Sequence, residues 1–347
     1  MTKNQESTIS HSRKKAGDIF LQLVLPLFLG ILILWVLFRN TNFDKIWEIF
    51  KDANFWILGF SLLFGLAANT FRAARWRLLL KPLGHHPRLS NMAFAVYGGY
   101  AVNFAIPRAG ELWRCGMITK TEDIPFTQTV STMILDRVLD FVTVLFIIIL
   151  AFILNAEFLI SEVSNSQAFI AGLGRLFSSV WLYAGILVIT AGLFYLFKFH
   201  KNNIIIRKTV EIARGIRRDL KQIWKMKEKG KMIAYSLLIW IGYFFYFYIT
   251  LFAFHFTQDL GFTAGLVTFT MGSISMAVPT NGGLGAWHAA VIASLMLYGV
   301  GHTQAEAFAF GVFALQSLWI IFLGLIGIVG LSVNGKRQKG KSLSGLH

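Results

Sequence analysis

The chain has 347 residues, 55% of them apolar and only 14% charged, with a formal net charge of +16. A soluble protein carries about 25% charged residues, so this composition excludes a water-exposed catalytic domain as the main body of the chain. The basic excess lies in short segments between apolar runs, the pattern of a membrane protein and not of a nucleic-acid binder.

A basic tail, residues 1–17 with Lys3, Arg13, Lys14 and Lys15, precedes an apolar stretch at 18–38. About 20 apolar residues cross ~30 Å of hydrocarbon as a helix. No small-x-small cleavage site follows this stretch, so it reads as a retained anchor that Pro26 kinks. Further spans are predicted at 55–77, 127–154, 178–199, 232–256 and 304–332. Between the first two, Arg39, Lys45 and Lys51 are balanced by Asp44, Glu48 and Asp52, whereas Arg77, Lys81 and Arg88 after the second read as interfacial anchors. Residues 198–231 carry twelve Lys or Arg against three acids. Among them Ile204, Ile205, Ile212, Ile216, Leu220, Ile223 and Trp224 recur at near-helical spacing, which predicts an amphipathic helix on anionic headgroups. Gly324, Gly327 and Gly330 let the last span approach a neighbour closely, and a basic tail at 336–347 closes the chain. Placing every basic segment in the cytoplasm puts both termini inside a cell (inner) membrane and the loop 155–177 outside.

Two apolar regions do not fit a simple span. Residues 91–119 run into Pro107-Arg108-Ala109-Gly110, and residues 262–300 run into Pro279-Thr280-Asn281-Gly282-Gly283-Leu284-Gly285. Proline removes a backbone donor and glycine frees the dihedrals, so both regions should break into helical hairpins. Such a break is tolerated at membrane depth only within protein or beside a water-filled cavity. The two breaks match at a constant offset of 172 residues, pairing Pro107 with Pro279, Gly110 with Gly282 and Leu112 with Leu284. Their flanking charges place the ends of the first on the cytoplasmic side and those of the second outside. The expected fold is therefore all-α and polytopic, with about six full spans and two re-entrant hairpins. Its domain, 18–335, holds inverted repeat halves at about 55–154 and 232–332, joined by the basic segment 200–231.

Ionisable groups at membrane depth cost ~2.5–3.5 kcal/mol each and persist when paired or useful. Arg72 and Arg75 lie one turn apart, as do Asp136 and Asp140, with Arg137 between the carboxylates and Arg108, Glu111 and Arg114 on the first hairpin. Arginine's planar fork suits phosphate oxygens. Arg72, Arg75, Arg108 and Arg114 are thus headgroup candidates, and Glu111, Asp136, Arg137, Asp140 and His288 form a polar or proton-coupling network. The other reading is that Arg108, Glu111, Asp136, Arg137 and Asp140 form buried pairs that fasten the hairpin and that His288 is a hydrogen-bonded packing residue. The single Cys115 rules out an internal disulfide and a multi-cysteine metal site, and neither a metal nor a cofactor is expected. No Walker loop, H-E-x-x-H or G-x-S-x-G motif is present, so no catalytic residue is assigned.

Four strings occur in order: Asn69-Thr70-Phe71-Arg72-Ala73-Ala74-Arg75-Trp76, Asn103-Phe104-Ala105-Ile106-Pro107-Arg108-Ala109-Gly110-Glu111, Asp136-Arg137-Val138-Leu139-Asp140 and Pro279-Thr280-Asn281-Gly282-Gly283-Leu284-Gly285. They resemble the transmembrane, flippase-like domain of lysylphosphatidylglycerol synthases and their stand-alone relatives, over roughly 18–332. Asn103, within the second string, joins the headgroup candidates. Asp136 stands where relatives often show Glu, and Ala286-Trp287-His288 follows the glycines where many carry Arg-Glu. The resemblance implies a translocator of phospholipid or lipid-linked headgroups between leaflets, without the soluble aminoacyltransferase, and the expected path is a polar seam between the two re-entrant hairpins. The alternative is a membrane-embedded enzyme or accessory subunit acting on lipid-linked glycans or lipids. Membrane lipids are the expected partners, no nucleic acid is, and a homo-oligomer stays open.

Overall fold

The structure is a computed structural model that describes residues 43–106, 109–156, 214–276 (216 and 220 excepted) and 283–344. The N-terminal tail, the expected spans at 18–38 and 178–199, Pro26, the loop after 156, the basic segment before 214, and Pro107, Arg108, Pro279 and Gly282 lie outside the described residues.

The protein is an all-helical, polytopic membrane protein, and no strand occurs among the described residues. Four described helices are long and apolar enough to cross a membrane, within Phe55–Leu83, Phe126–Leu154, Lys229–Leu251 and His302–Asn334. The second of these turns Phe141, Phe146 and Ile153 outward at 57–70% exposure. An apolar stripe of that kind is stable against lipid and not against water.

A short helix α1 (Phe43–Lys51) leads into α2 (Phe55–Leu80). Asn54 starts α2 by accepting the backbone N–H groups of Trp56 and Ile57 on its side chain. Lys81-Pro82 and the left-handed Gly84 (φ 87°) stop it. The first hairpin follows, α3 (Leu89–Ala105) and α4 (Ala109–Glu122). Ile106 ends α3 in an extended conformation (φ −132°, ψ 112°), as a residue before proline must. Pro125 precedes α5 (Phe126–Leu154). The second half contains α6 (Lys229–Leu251), the hairpin of α7 (Phe262–Ser275) and α8 (Ala286–Leu297), and α9 (His302–Ser344).

The order long, short, short, long therefore occurs twice. α2 and α6 run antiparallel, with Arg75 beside Ser236, Asn69 beside Tyr243 and Gly65 beside Tyr246. α3 of the first hairpin packs on α9, and α7 of the second packs on α5, so each hairpin leans on the long helix that closes the other half. Gly324 and Gly327 of α9 sit directly on Ala101 and the Phe94 carbonyl of α3, as their spacing predicts. At about 1.5 Å per residue, α7 and α8 reach roughly 21 and 18 Å and α4 roughly 21 Å, short of ~30 Å of hydrocarbon.

Two boundaries differ from the sequence reading. α6 ends at Leu251 and not near 256, because the Thr257 hydroxyl donates to the Leu251 carbonyl at 2.6 Å and folds the chain back. α9 continues past 332 to Ser344, since its Lys- and Arg-rich extension contains no proline to stop it.

Candidate functional site

Arg72 and Arg75 project from α2 at the level where α5 presents Asp136 and Asp140. Each pair is one helical turn apart, so the two faces meet as a two-by-two array. Arg75 is fully used: Nε donates to Asp136 Oδ1 at 2.9 Å, and Nη2 donates to Asp140 Oδ1 at 2.6 Å and to the Asp136 carbonyl at 3.2 Å. Its Nη1 donates to Ser236 Oγ of α6 at 3.0 Å. Arg72 donates through Nη1 to Asp140 at 2.5 Å and to Asp136 at 3.4 Å, and through Nε to the Tyr243 hydroxyl at 3.3 Å. All four side chains are buried.

The first hairpin brings its own charges to the edge of this array. Arg114 of α4 reaches Asp136 only at 3.5 Å, with its guanidinium 4.8 Å from the centre of the Trp76 ring. Arg137 of α5 faces Glu111 at 2.9 Å and Asp140 at 3.5 Å. The Nε atoms of Arg114 and Arg137 are buried without a hydrogen bond, the Arg137–Glu111 pair being close but out of alignment for one. Four arginines thus meet three carboxylates, which leaves one positive charge over. A buried ion pair gains little net energy, but removing one partner strands the other, so the array is costly to disturb.

A crevice opens beside these groups, with room for about one water molecule. Gly99, Tyr100 and Asn103 of α3, Glu111 and Arg114 of α4, and Arg137 of α5 line it. The two arms of the hairpin touch at its floor. A Cβ at Gly110 would strike the Gly99 carbonyl oxygen, and the Asn103 side chain accepts the Gly110 N–H at 2.8 Å. Gly110 is therefore required by close approach and not by its dihedrals. The crevice lies within the first hairpin, and no described residue of the second hairpin lines it.

The candidate residues accordingly separate into groups. Arg72, Arg75, Asp136 and Asp140 form the closed array, whereas Arg114, Arg137, Glu111 and Asn103 border the crevice. His288 lies apart in the second hairpin, its ring 4.5 Å from Phe313 and 4.7 Å from Phe310, and it accepts the Gly285 N–H on Nδ1. Gly283 and Gly285 of the second break adopt left-handed dihedrals (φ 87° and 82°), which explains glycine at both. Among the described residues no group of three metal-ligating side chains occurs.

A family model described as the lysylphosphatidylglycerol synthase TM region matches residues 23–324. The chain belongs to that family. A UPF0104 membrane protein of Methanocaldococcus jannaschii is 25% identical over 132 residues, which are 37% of this chain and 39% of that relative's length. The chain therefore aligns with well under half of this relative. No solved structure gives a significant match. The matched span of the synthase TM-region family takes in both hairpins and the whole charged array, so the site belongs to the family domain and not to an appendage.

Sequence reasoning missed the tyrosines. Tyr243 of α6 donates to Asn69 Oδ1 at 2.6 Å, accepts from Arg72, and lies 3.1 Å from the Tyr100 hydroxyl. It links the second half of the chain to the array and, through Tyr100, to the crevice. In the sequence Tyr243 is one aromatic among many in a span, 171 residues from its arginine, and carries no local signal.

Proposed function

We propose that this membrane protein carries phosphate-bearing lipid headgroups between leaflets, with the first hairpin as the binding element. One observation carries the reading: Arg114 keeps its buried Nε–H without a hydrogen bond beside a crevice that Arg137, paired with Glu111, also borders, in a cluster with one surplus positive charge. A planar donor fork of this kind fits phosphate oxygens. The array of Arg72, Arg75, Asp136 and Asp140 acts as the rigid counter-ion block that holds the fork in place. This supports both sequence readings at once, because the inner pairs fasten the hairpin and the outer arginines recognise the ligand. The family's description refers to the synthase of a modified phospholipid, which agrees with a lipid-related role.

In this reading both hairpins are re-entrant and dip from opposite faces, since their helices are too short to cross, and the end bearing Arg88, Lys120 and residues 214–231 lies in the cytoplasm. The halves are inverted repeats that rock against each other, as their reciprocal packing permits, and acyl chains stay in the bilayer along the apolar face of α5.

The test is transbilayer movement of fluorescent phospholipids and lipid-linked phosphates in vesicles that contain the purified protein. Movement faster than in empty vesicles is expected. Arg114→Lys and Arg137→Lys, which keep the charge and lose the fork, should slow it about tenfold at unchanged abundance. A rate equal to empty vesicles across the lipid panel would overturn the proposal.

A further inference from the structure

The basic stretch 214–231 plays no part in the crevice, yet it is built onto the bundle with specific contacts. Asp219 is 3% exposed and accepts the Ser131 hydroxyl of α5 at 3.0 Å. Gln222 donates to the Pro82 carbonyl at 2.5 Å. Ile223 and Met226 are buried against Leu78 and Leu79 at the end of α2, with Leu135 and Leu139 of α5 and Tyr235 of α6 around them. One side of the stretch is thus clipped across the ends of three long helices. Trp224, which helical spacing groups with the buried Ile223, points the other way and is 74% exposed, with Lys229 Nζ 5.7 Å from its ring.

The outward side is strongly cationic. Arg214, Arg217, Lys221, Lys225 and Lys227 are all exposed. The two described acids of the stretch are engaged elsewhere: Asp219 faces inward, with Arg218 at 3.8 Å, and Glu228 holds Lys231 at 3.0 Å and Lys81 at 3.3 Å. Those two lysines hold the Glu228 carboxyl below the usual carboxylate range, so it stays ionised and committed to them. The height of the clip is also fixed. Ser131 lies only five residues inside the start of α5, about 8 Å along the helix, which is headgroup depth for a span beginning at Phe126.

We infer that this stretch is a docking platform for the anionic phospholipid headgroups of the leaflet at the basic end of the bundle. Exposed bases beside an outward tryptophan at headgroup level match a negatively charged, partly apolar surface. The inference is independent of the translocation reading, since no residue of the platform lines the crevice.

Cys115, the chain's only cysteine, is buried, so a thiol-reactive fluorophore on Lys221→Cys reports this surface alone. The labelled full chain is placed in nanodiscs of phosphatidylcholine, or of phosphatidylcholine mixed with phosphatidylglycerol, and quenched with neutral acrylamide. Quenching should fall about twofold in the anionic discs, and high salt should restore it. A variant combining Arg214→Gln, Arg217→Gln, Lys225→Gln and Lys227→Gln should show no lipid dependence. If that variant fails to fold, the salt reversal in the singly labelled chain still decides. Equal quenching in the two lipids would overturn the inference and favour an acidic protein partner. Shielding that survives high salt would also overturn it.

Discussion

The first hairpin, α3 and α4, and the second, α7 and α8, share a build and differ in what fills it. Each folds two short helices back on themselves around a small residue, Gly99 against Gly110 in one and Gly272 against Trp287 in the other. Each rests on a long helix of the opposite half. In the first, the packed surface carries Arg114 and Glu111 toward Asp136 and Arg137. In the second, the arms meet through Thr268 and Ser294 hydroxyls at 2.9 Å, and α8 packs on α9 through a box of Trp287, His288, Phe310 and Phe313. The lesson is that similar backbones divide the work: one hairpin concentrates charge and the other supplies an apolar abutment.

The strongest way to break this contrast is Asp136→Ala. It takes away the carboxylate of Arg114 and leaves Arg72 and Arg75 to share Asp140 in a buried site, and a loss of about 3–5 kcal/mol is expected, read as a collapse of folded yield and of melting temperature in detergent. No single substitution in the second hairpin should cost as much.

Next is a matched glycine pair. Gly110→Ala drives a methyl into backbone at Gly99 and should cost about 1–3 kcal/mol, opening the crevice floor, whereas Gly272→Ala meets the Trp287 side chain at 2.9 Å, which can shift. Melting temperature and the lipid-movement rate should both drop more for Gly110→Ala. Equal losses would erase the distinction between a backbone-locked and a side-chain-buffered hairpin.

Tyr243→Phe sharpens the comparison from the side of α6. It removes one hydroxyl that serves Asn69, Arg72 and Tyr100 and should cost about 1–2 kcal/mol, together with a slower lipid-movement rate, because the array loses its tie to the crevice. The smallest effect belongs to Thr268→Val, which deletes the hydroxyl bridge across the second hairpin. It should cost about 1 kcal/mol and leave the rate unchanged if that hairpin is only an abutment.

Much of the fold was legible because its signals are local. Apolar run length marked spans at 55–77, 127–154, 232–256 and 304–332, each on a long helix of the structure, and Pro107 with Gly110 marked the first break, since membrane insertion and proline chemistry depend on neighbouring residues only. The charged candidates were also legible one by one, because an arginine or aspartate inside an apolar run needs a reason. Their division of labour was not. Nothing in the spacing of Arg72 and Arg75 says that Asp136 and Asp140 saturate them, or that Arg114 keeps a buried donor without a hydrogen bond. His288, for which the sequence offered both a proton-coupling and a packing reading, lies among aromatic rings.

By itself, then, the sequence determined that this is a helical membrane protein with two broken segments, a strong basic end and a set of intramembrane charges. Those properties follow from hydropathy, backbone chemistry and the cost of burying charge, all of which act along the chain. Only the tertiary structure decided which charges neutralise one another, that the polar crevice sits inside the first hairpin, and that a tyrosine from the far half holds it. Such facts depend on which helix faces meet across more than a hundred residues, and no local pattern encodes that meeting.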